Sequence, residues 1–160
     1  MDADTITTTE YTNGIRKPHV KPRWHWGIAI ILLLHLLLFV PLFRPVVSTI
    51  DPVGYFSWAR SILIDGDLDV SDEFHHYNMP EGAPITPTGY LHNQWAAGSG
   101  LLWLPAMAVT HLGLQAANTF GATVTLDGYS WPYVWAAALT SVVAGLITVL
   151  SIYLLSCRYT

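Results

Sequence analysis

The run Asp51-Pro52-Val53-Gly54-Tyr55-Phe56-Ser57-Trp58-Ala59-Arg60, continuing to Asp65-Gly66-Asp67, holds the side chains best suited to chemistry. It follows directly on a long apolar stretch, so Asp51 falls where a chain leaving a membrane meets water. A carboxylate there can take the proton of a hydroxyl group during a transfer reaction. It can also hold a divalent metal that polarises a phosphate. Arg60 is a cation able to pair with a phosphate or with an acidic neighbour. Tyr55, one helical turn beyond Asp51, lines a pocket or simply packs. Asp51-Pro52 is also a helix start, with Asp as N-cap and proline in the first turn, a role worth about 1 kcal/mol. Capping and catalysis are compatible.

Those residues need elements to hold them, and composition says of what kind. Only 11% of residues are charged and 52% are hydrophobic, against roughly 25% charged in a soluble domain. That is the balance of a membrane protein. The single Cys157 excludes a disulfide framework within the chain and any thiolate metal site. Arg16, Lys17, Lys21 and Arg23 crowd the first 23 residues, whereas residues 44–130 are rich in Asp and Glu. No basic patch with interleaved aromatics occurs, which excludes nucleic acid as the expected partner.

Trp24 to Phe43 and Val134 to Leu155 carry no Lys, Arg, Asp or Glu, and each reaches the roughly 20 residues a bilayer requires. Leu42-Phe43-Arg44-Pro45 is too bulky for a signal-peptide cleavage site, so the first stretch reads as an uncleaved anchor. His35 lies in mid-span, where a neutral imidazole bonded to a neighbouring helix is the expectation. Ala137, Ser141 and Gly145 make a small-residue face on the second span, suited to the close approach of another helix.

Trp95 to Gly113 is apolar too, but Gly98, Gly100, Pro105 and His111 interrupt it. If it crosses, Arg158 ends outside; if it lies at the interface, the basic tail and Arg158 share the cytoplasmic side. The second arrangement is the one adopted. The expected fold is therefore an all-α membrane protein with two transmembrane helices and a large external loop carrying two interfacial helices. Its parts are a cytoplasmic basic tail over 1–23, a transmembrane helix over 24–43, an external loop over 44–133 and a transmembrane helix over 134–156. The interfacial helices fall near 52–65 and 95–113. In the first of these, Val53, Phe56 and Leu63 give an apolar face suited to lying on a bilayer.

In the loop, the alternating acids Asp65, Asp67 and Asp69, then Asp72-Glu73, look like a calcium loop but lack its glycine and terminal glutamate. A solvated turn is the expectation, with Gly66 stopping the helix. His75-His76 and His92 have no metal-site spacing and read as loop histidines. Asp127-Gly128 reads as a turn leading into the second span.

The Asp51–Asp67 run resembles the first external loop of GT-C type membrane glycosyltransferases, in particular glycosyltransferase family 39 and the aminoarabinose-lipid A transferase group. The resemblance rests on Asp51, Tyr55, Ala59, Arg60, Leu63, Gly66 and Asp67, in register, and further on Gly98, Leu101, Leu102 and Pro105. It spans roughly residues 25–157 in layout. Pro52 stands where many relatives have a second acidic residue, and His92-Asn93-Gln94-Trp95 where many have a Lys and paired prolines.

What the resemblance implies is transfer of a sugar from a polyprenyl-phosphate donor to a protein or lipid acceptor, at the outer face of the cell (inner) membrane. Asp51 is the implied catalytic residue, with Tyr55, Arg60 and Asn93 binding substrate. A divalent metal cofactor is compatible with that role but nothing specifies one. The chain would be the N-terminal part of a larger enzyme, inactive alone, with its remaining helices or a partner subunit meeting the small-residue face. The competing expectation is a non-catalytic small membrane subunit or binding protein whose acidic external loop docks a partner.

Overall fold

A computed structural model of the chain describes residues 24–80 and 82–159; the tail expected over 1–23 lies outside the described residues. The described residues form five helices and no strands. They are α1 (Trp24–Leu42), α2 (Ile50–Arg60), α3 (Ser71–His76), α4 (Gly98–Thr119) and α5 (Trp131–Tyr159).

Length and apolarity mark two of them as able to cross a membrane, α4 and α5, with mean hydropathies of 1.2 and 2.2. By the same measure His25–Phe39 is a shorter apolar stretch within α1, which is 19 residues long. Of the expected spans, 24–43 and 134–156, α1 lies within the first and α5 covers the second. The segment expected as an interfacial helix over 95–113 starts later and runs on to Thr119, because Gln115, Ala116, Ala117 and Asn118 continue the helix. Its hydropathy is the lower of the two because Thr110, His111, Gln115 and Asn118 interrupt the apolar side chains.

Packing pairs α1 with α5. Gly27, near the start of α1, lies so close to the Tyr153 ring near the end of α5 that a Cβ would have no room. At the opposite end, just past α1, Phe43 meets Trp135 edge-on with ring centroids 5.0 Å apart. The two helices thus run antiparallel along most of their length. The α4 helix packs on the first half of α5 only. Trp103 Nε1 donates to Ser141 Oγ at 2.8 Å, and His111 Nδ1 and Tyr133 Oη share a 2.7 Å hydrogen bond. Ala137 and Ser141 of the small-residue face are used in this way, while Gly145 faces open space.

The core sits where α2, α4 and α5 meet, in Phe56, Ala59, Met107, Tyr133 and Ala137. A second cluster, Val53, Val70 and Phe74, fastens α3 to the other side of α2. Val53 and Phe56 are therefore inside the protein, and the expectation that this face lies on a bilayer is corrected. The driving force is the same apolar burial, at about 25 cal/mol per Å2, but α4 and α3 supply the cover. Gly100 makes the approach possible: a Cβ there would sit 2.8 Å from Tyr55 O.

Helix α2 begins at Ile50, with Thr49 as its N-cap and no side-chain capping bond. Asp51 is thus in the first turn and is not the N-cap that the sequence led us to expect. A π-helical turn, Ser61–Asp65, extends α2 until Gly66 stops it at φ 75°. The expected helix over 52–65 is thereby recovered almost whole. Of the acids after it, Asp72 and Glu73 lie in α3, where a solvated turn was expected.

Candidate functional site

Asp51 is exposed, and its first-turn position sets the carboxylate at the positive end of the α2 dipole. Its Oδ1 accepts a 2.9 Å hydrogen bond from Trp95 Nε1. Trp95 is itself fixed from several sides. Its indole rests on Gly54, which has no space for a Cβ, and it meets the Phe74 ring edge-on at 6.2 Å. Its carbonyl accepts from Trp58 Nε1 at 2.8 Å. Asn93 completes the arrangement: Nδ2 donates to Gly54 O at 2.8 Å, and Oδ1 accepts from Trp95 N at 3.1 Å. Both ends of the Asn93 amide therefore serve the backbone, sewing the 93–95 segment onto α2.

Two cavities meet at Asp51. One, of about 330 Å3, is apolar and lies between α2, α4 and α5; Asp51, Tyr55, Trp103 and Val134 line it, with Arg44 at its edge. It shares Arg44 and Ala138 with a further groove of about 350 Å3 along the α1–α5 seam, into which His35 faces. His35 Nε2 is buried and has no hydrogen-bond partner among the described residues, so the expected bond to a neighbouring helix is absent there. The second cavity at Asp51, of about 630 Å3, lies on the loop side and is lined by Thr49, Tyr77, Asn78, Gln94 and Trp95 among others. Arg44 is exposed and makes no ion pair among the described residues.

Arg60 does not join this group. It lies nine residues beyond Asp51 on α2, about 13 Å along the axis. Its side chain is buried, bonded to Asp65 and, at 3.0 Å, to Glu73 Oε1. Nε donates to Asp127 O at 3.2 Å, and the guanidinium lies 4.4 Å over the Tyr129 ring. Gly128, at φ 78°, has the Arg60 side chain where a Cβ would be. The residue thus ties the end of α2 to α3 and to the turn before α5, taking the acidic-neighbour role of the two expected for it.

One cation cannot neutralise two carboxylates. Glu73 is fully buried, and burial pushes its carboxyl up to about 7 against the pull of Arg60. Asp65 is raised too, chiefly by burial, with Arg60 opposing and Asp67 and Asp72 adding to the shift. Burial works against the Arg60 charge, but Glu73, Tyr129 and Asp65 outweigh it and hold the guanidinium protonated. Tyr77, half-buried near Asp127 and Glu73, is raised to about 12, chiefly by burial. Asp127 is held low despite partial burial because its Oδ1 accepts from Ser130 N and Tyr129 N, both at 2.9 Å.

Of the four site residues expected from the sequence, Asp51 and Tyr55 share a cavity, Asn93 braces it from behind, and Arg60 stands apart. Sequence reasoning missed Trp95, Arg44 and Glu73. The spacing of Val70, Glu73 and Phe74 hinted at a buried helical face, whereas the Asp51–Trp95 bond spans 44 positions and left no local trace. No group of three His, Cys, Asp or Glu side chains able to hold a metal occurs among the described residues. No family model, curated protein or solved structure matches this chain.

Proposed function

We propose that this chain carries the catalytic loop of a GT-C type membrane glycosyltransferase, which moves a sugar from a polyprenyl-phosphate donor to an acceptor hydroxyl. In this reading α1 and α5 cross the cell membrane antiparallel, with the N-terminus cytoplasmic. The helices α2, α3 and α4 then gather at the outer boundary. The observation that supports it most is the place of Asp51, an exposed carboxylate at the junction of an apolar groove and an open cleft of mixed polarity. The donor's lipid follows the apolar groove, its phosphate meets Arg44, and the acceptor enters from the loop side.

Asp51 acts as general base. Its Oδ1 is oriented by Trp95, and Oδ2 has no protein partner among the described residues, so one oxygen is steered while the other receives the acceptor proton. The glycosidic bond to phosphate breaks as the acceptor oxygen bonds to the sugar, and the polyprenyl phosphate leaves with its charge beside Arg44. Tyr55 shapes the apolar wall. Asn93 and Arg60 position the loop, one at each end of α2.

The test is sugar transfer by membranes carrying the protein expressed from its own gene, offered a panel of polyprenyl-phosphate hexoses and polyprenyl-phosphate aminoarabinose. Transfer from at least one donor above control membranes is expected. Absence of transfer from all of them would favour the non-catalytic membrane subunit instead.

A further inference from the structure

The loop-side cleft has an amphipathic lining. Around Trp95 it sets the neutral hydrogen-bonding groups of Asn78, Gln94 and Thr49 beside the apolar Ile50, Met79 and Pro80, and among the described residues Asp51 is its one acidic side chain. Past Trp95 it adjoins a second hollow of about 370 Å3, which shares Gln94, Met79 and Pro80 with it and adds His92. Among the described residues, neither hollow is lined by a Lys or Arg.

That chemistry sorts the ligands. An anionic ligand meets a carboxylate and no cation. A lipid tail would strip water from amides and hydroxyls without replacing their hydrogen bonds. A peptide that binds by adding to a sheet edge finds no strand to extend among the described residues. A neutral, hydroxyl-rich ligand fits: the amides of Asn78 and Gln94 both donate and accept, and the C–H face of a pyranose ring packs on an indole. The indole is ready for it. Trp95 is held by Asp51, Trp58, Asn93, Gly54 and Phe74, so little side-chain freedom is lost on binding. The 630 Å3 of the main hollow lies within the 300–1,000 Å3 typical of small-molecule sites.

We infer that the cleft around Trp95 is a binding site for an uncharged oligosaccharide, with the indole as its stacking surface and Asn78 and Gln94 as its hydroxyl readers. As the acceptor subsite of a transferase it rests on the function proposed above; as a binding site it does not. A hydroxyl of the sugar over Trp95 comes within reach of Asp51 because the two side chains are bonded to each other.

The experiment applies the full chain, in lipid nanodiscs, to an array of neutral hexose oligomers, uronate oligomers and phosphorylated glycans. Retention on neutral oligomers and rejection of the two acidic classes are expected. Trp95→Leu should weaken retention by at least about tenfold. Because that change also removes a packed ring, the double variant Gln94→Ala with Asn78→Gly serves as the second arm. Both positions are exposed, and glycine suits the φ of 49° at Asn78. It should weaken retention about tenfold with the melting temperature unchanged. Failure to retain any neutral oligomer, equal retention of acidic glycans, or an undiminished double variant would overturn the inference. Binding by a protein that transfers no sugar removes the transferase reading and leaves this site standing; transfer without such binding does the reverse.

Discussion

Glu73 gives the sharpest test of how the outer helices are held together. In the unfolded chain its carboxyl titrates near 4.5, and in the folded chain burial moves it to about 7. Between those values the folded chain keeps a proton that the unfolded chain has released. Stability from this group is therefore fully present below about pH 4.5 and is lost as pH rises toward 7. At 1.36 kcal/mol per pH unit the whole loss is about 3 kcal/mol, of which about 2–3 falls between pH 5 and pH 8. For a chain of this size that corresponds to a fall of roughly 5–10 °C in melting temperature. The assay is thermal unfolding in a non-ionic detergent across that range, followed by circular dichroism. Glu73→Gln mimics the protonated acid and keeps an oxygen facing Arg60, which retains Asp65 and Asp127 O as partners. It should flatten the pH dependence and raise the melting temperature at pH 8 to about its value at pH 5. The opposite pair of results would refute the reasoning: a wild type more stable at pH 8 than at pH 5, and a Gln variant destabilised by the roughly 3–5 kcal/mol of a broken buried ion pair.

Three other outcomes follow from the same packing. Gly54→Ala places a methyl where the Trp95 indole lies and should cost about 1–3 kcal/mol, read as a lower melting temperature with altered tryptophan fluorescence; an unchanged protein would mean that Trp95 is not seated there. Arg44→Ala should raise the KM for the lipid-phosphate donor about 10- to 100-fold, the range of a lost charge-assisted hydrogen bond, and an unchanged KM would remove Arg44 from the donor site. Tyr159→Cys in a Cys157→Ser background should resist an impermeant thiol reagent added outside intact cells, and labelling from outside would contradict the cytoplasmic placement of the end of α5 in the proposed topology.

Much of the fold was readable because apolar length and helix stops are local properties. The stop at Gly66, the long apolar helix beginning around Trp131–Val134 and the irregular segment between Tyr77 and Gly89 are encoded within a few residues each. The start of α2 was misjudged by two residues, since an Asp-Pro pair serves equally well as a cap and first residue or, as here, inside the first turn. The face of α2 was read as membrane-lying because a hydrophobic pattern states that burial occurs, not what provides it. Val53 and Phe56 find α3 and α4, elements far away in the chain. The same limit applies to the site. Asp51 and Tyr55 share a face by helical periodicity and were legible together. Arg60 could be assigned no partner from sequence, because Glu73, Asp127 and Tyr129 reach it only after folding.

The proposal that Asp51 is a base is tested most directly by the initial rate of sugar transfer in Asp51→Asn. Asparagine keeps the size of the side chain and an oxygen to accept from Trp95 Nε1, and no capping bond is at stake because Thr49 is the N-cap. The measurement compares wild type and variant in the same membranes at saturating polyprenyl-phosphate sugar, with donor binding measured alongside. The expected result is a fall in kcat of about 10²–10⁴ with donor affinity and melting temperature retained. Near-normal turnover by the Asn variant would contradict a base at Asp51 and leave the residue only a structural part in α2.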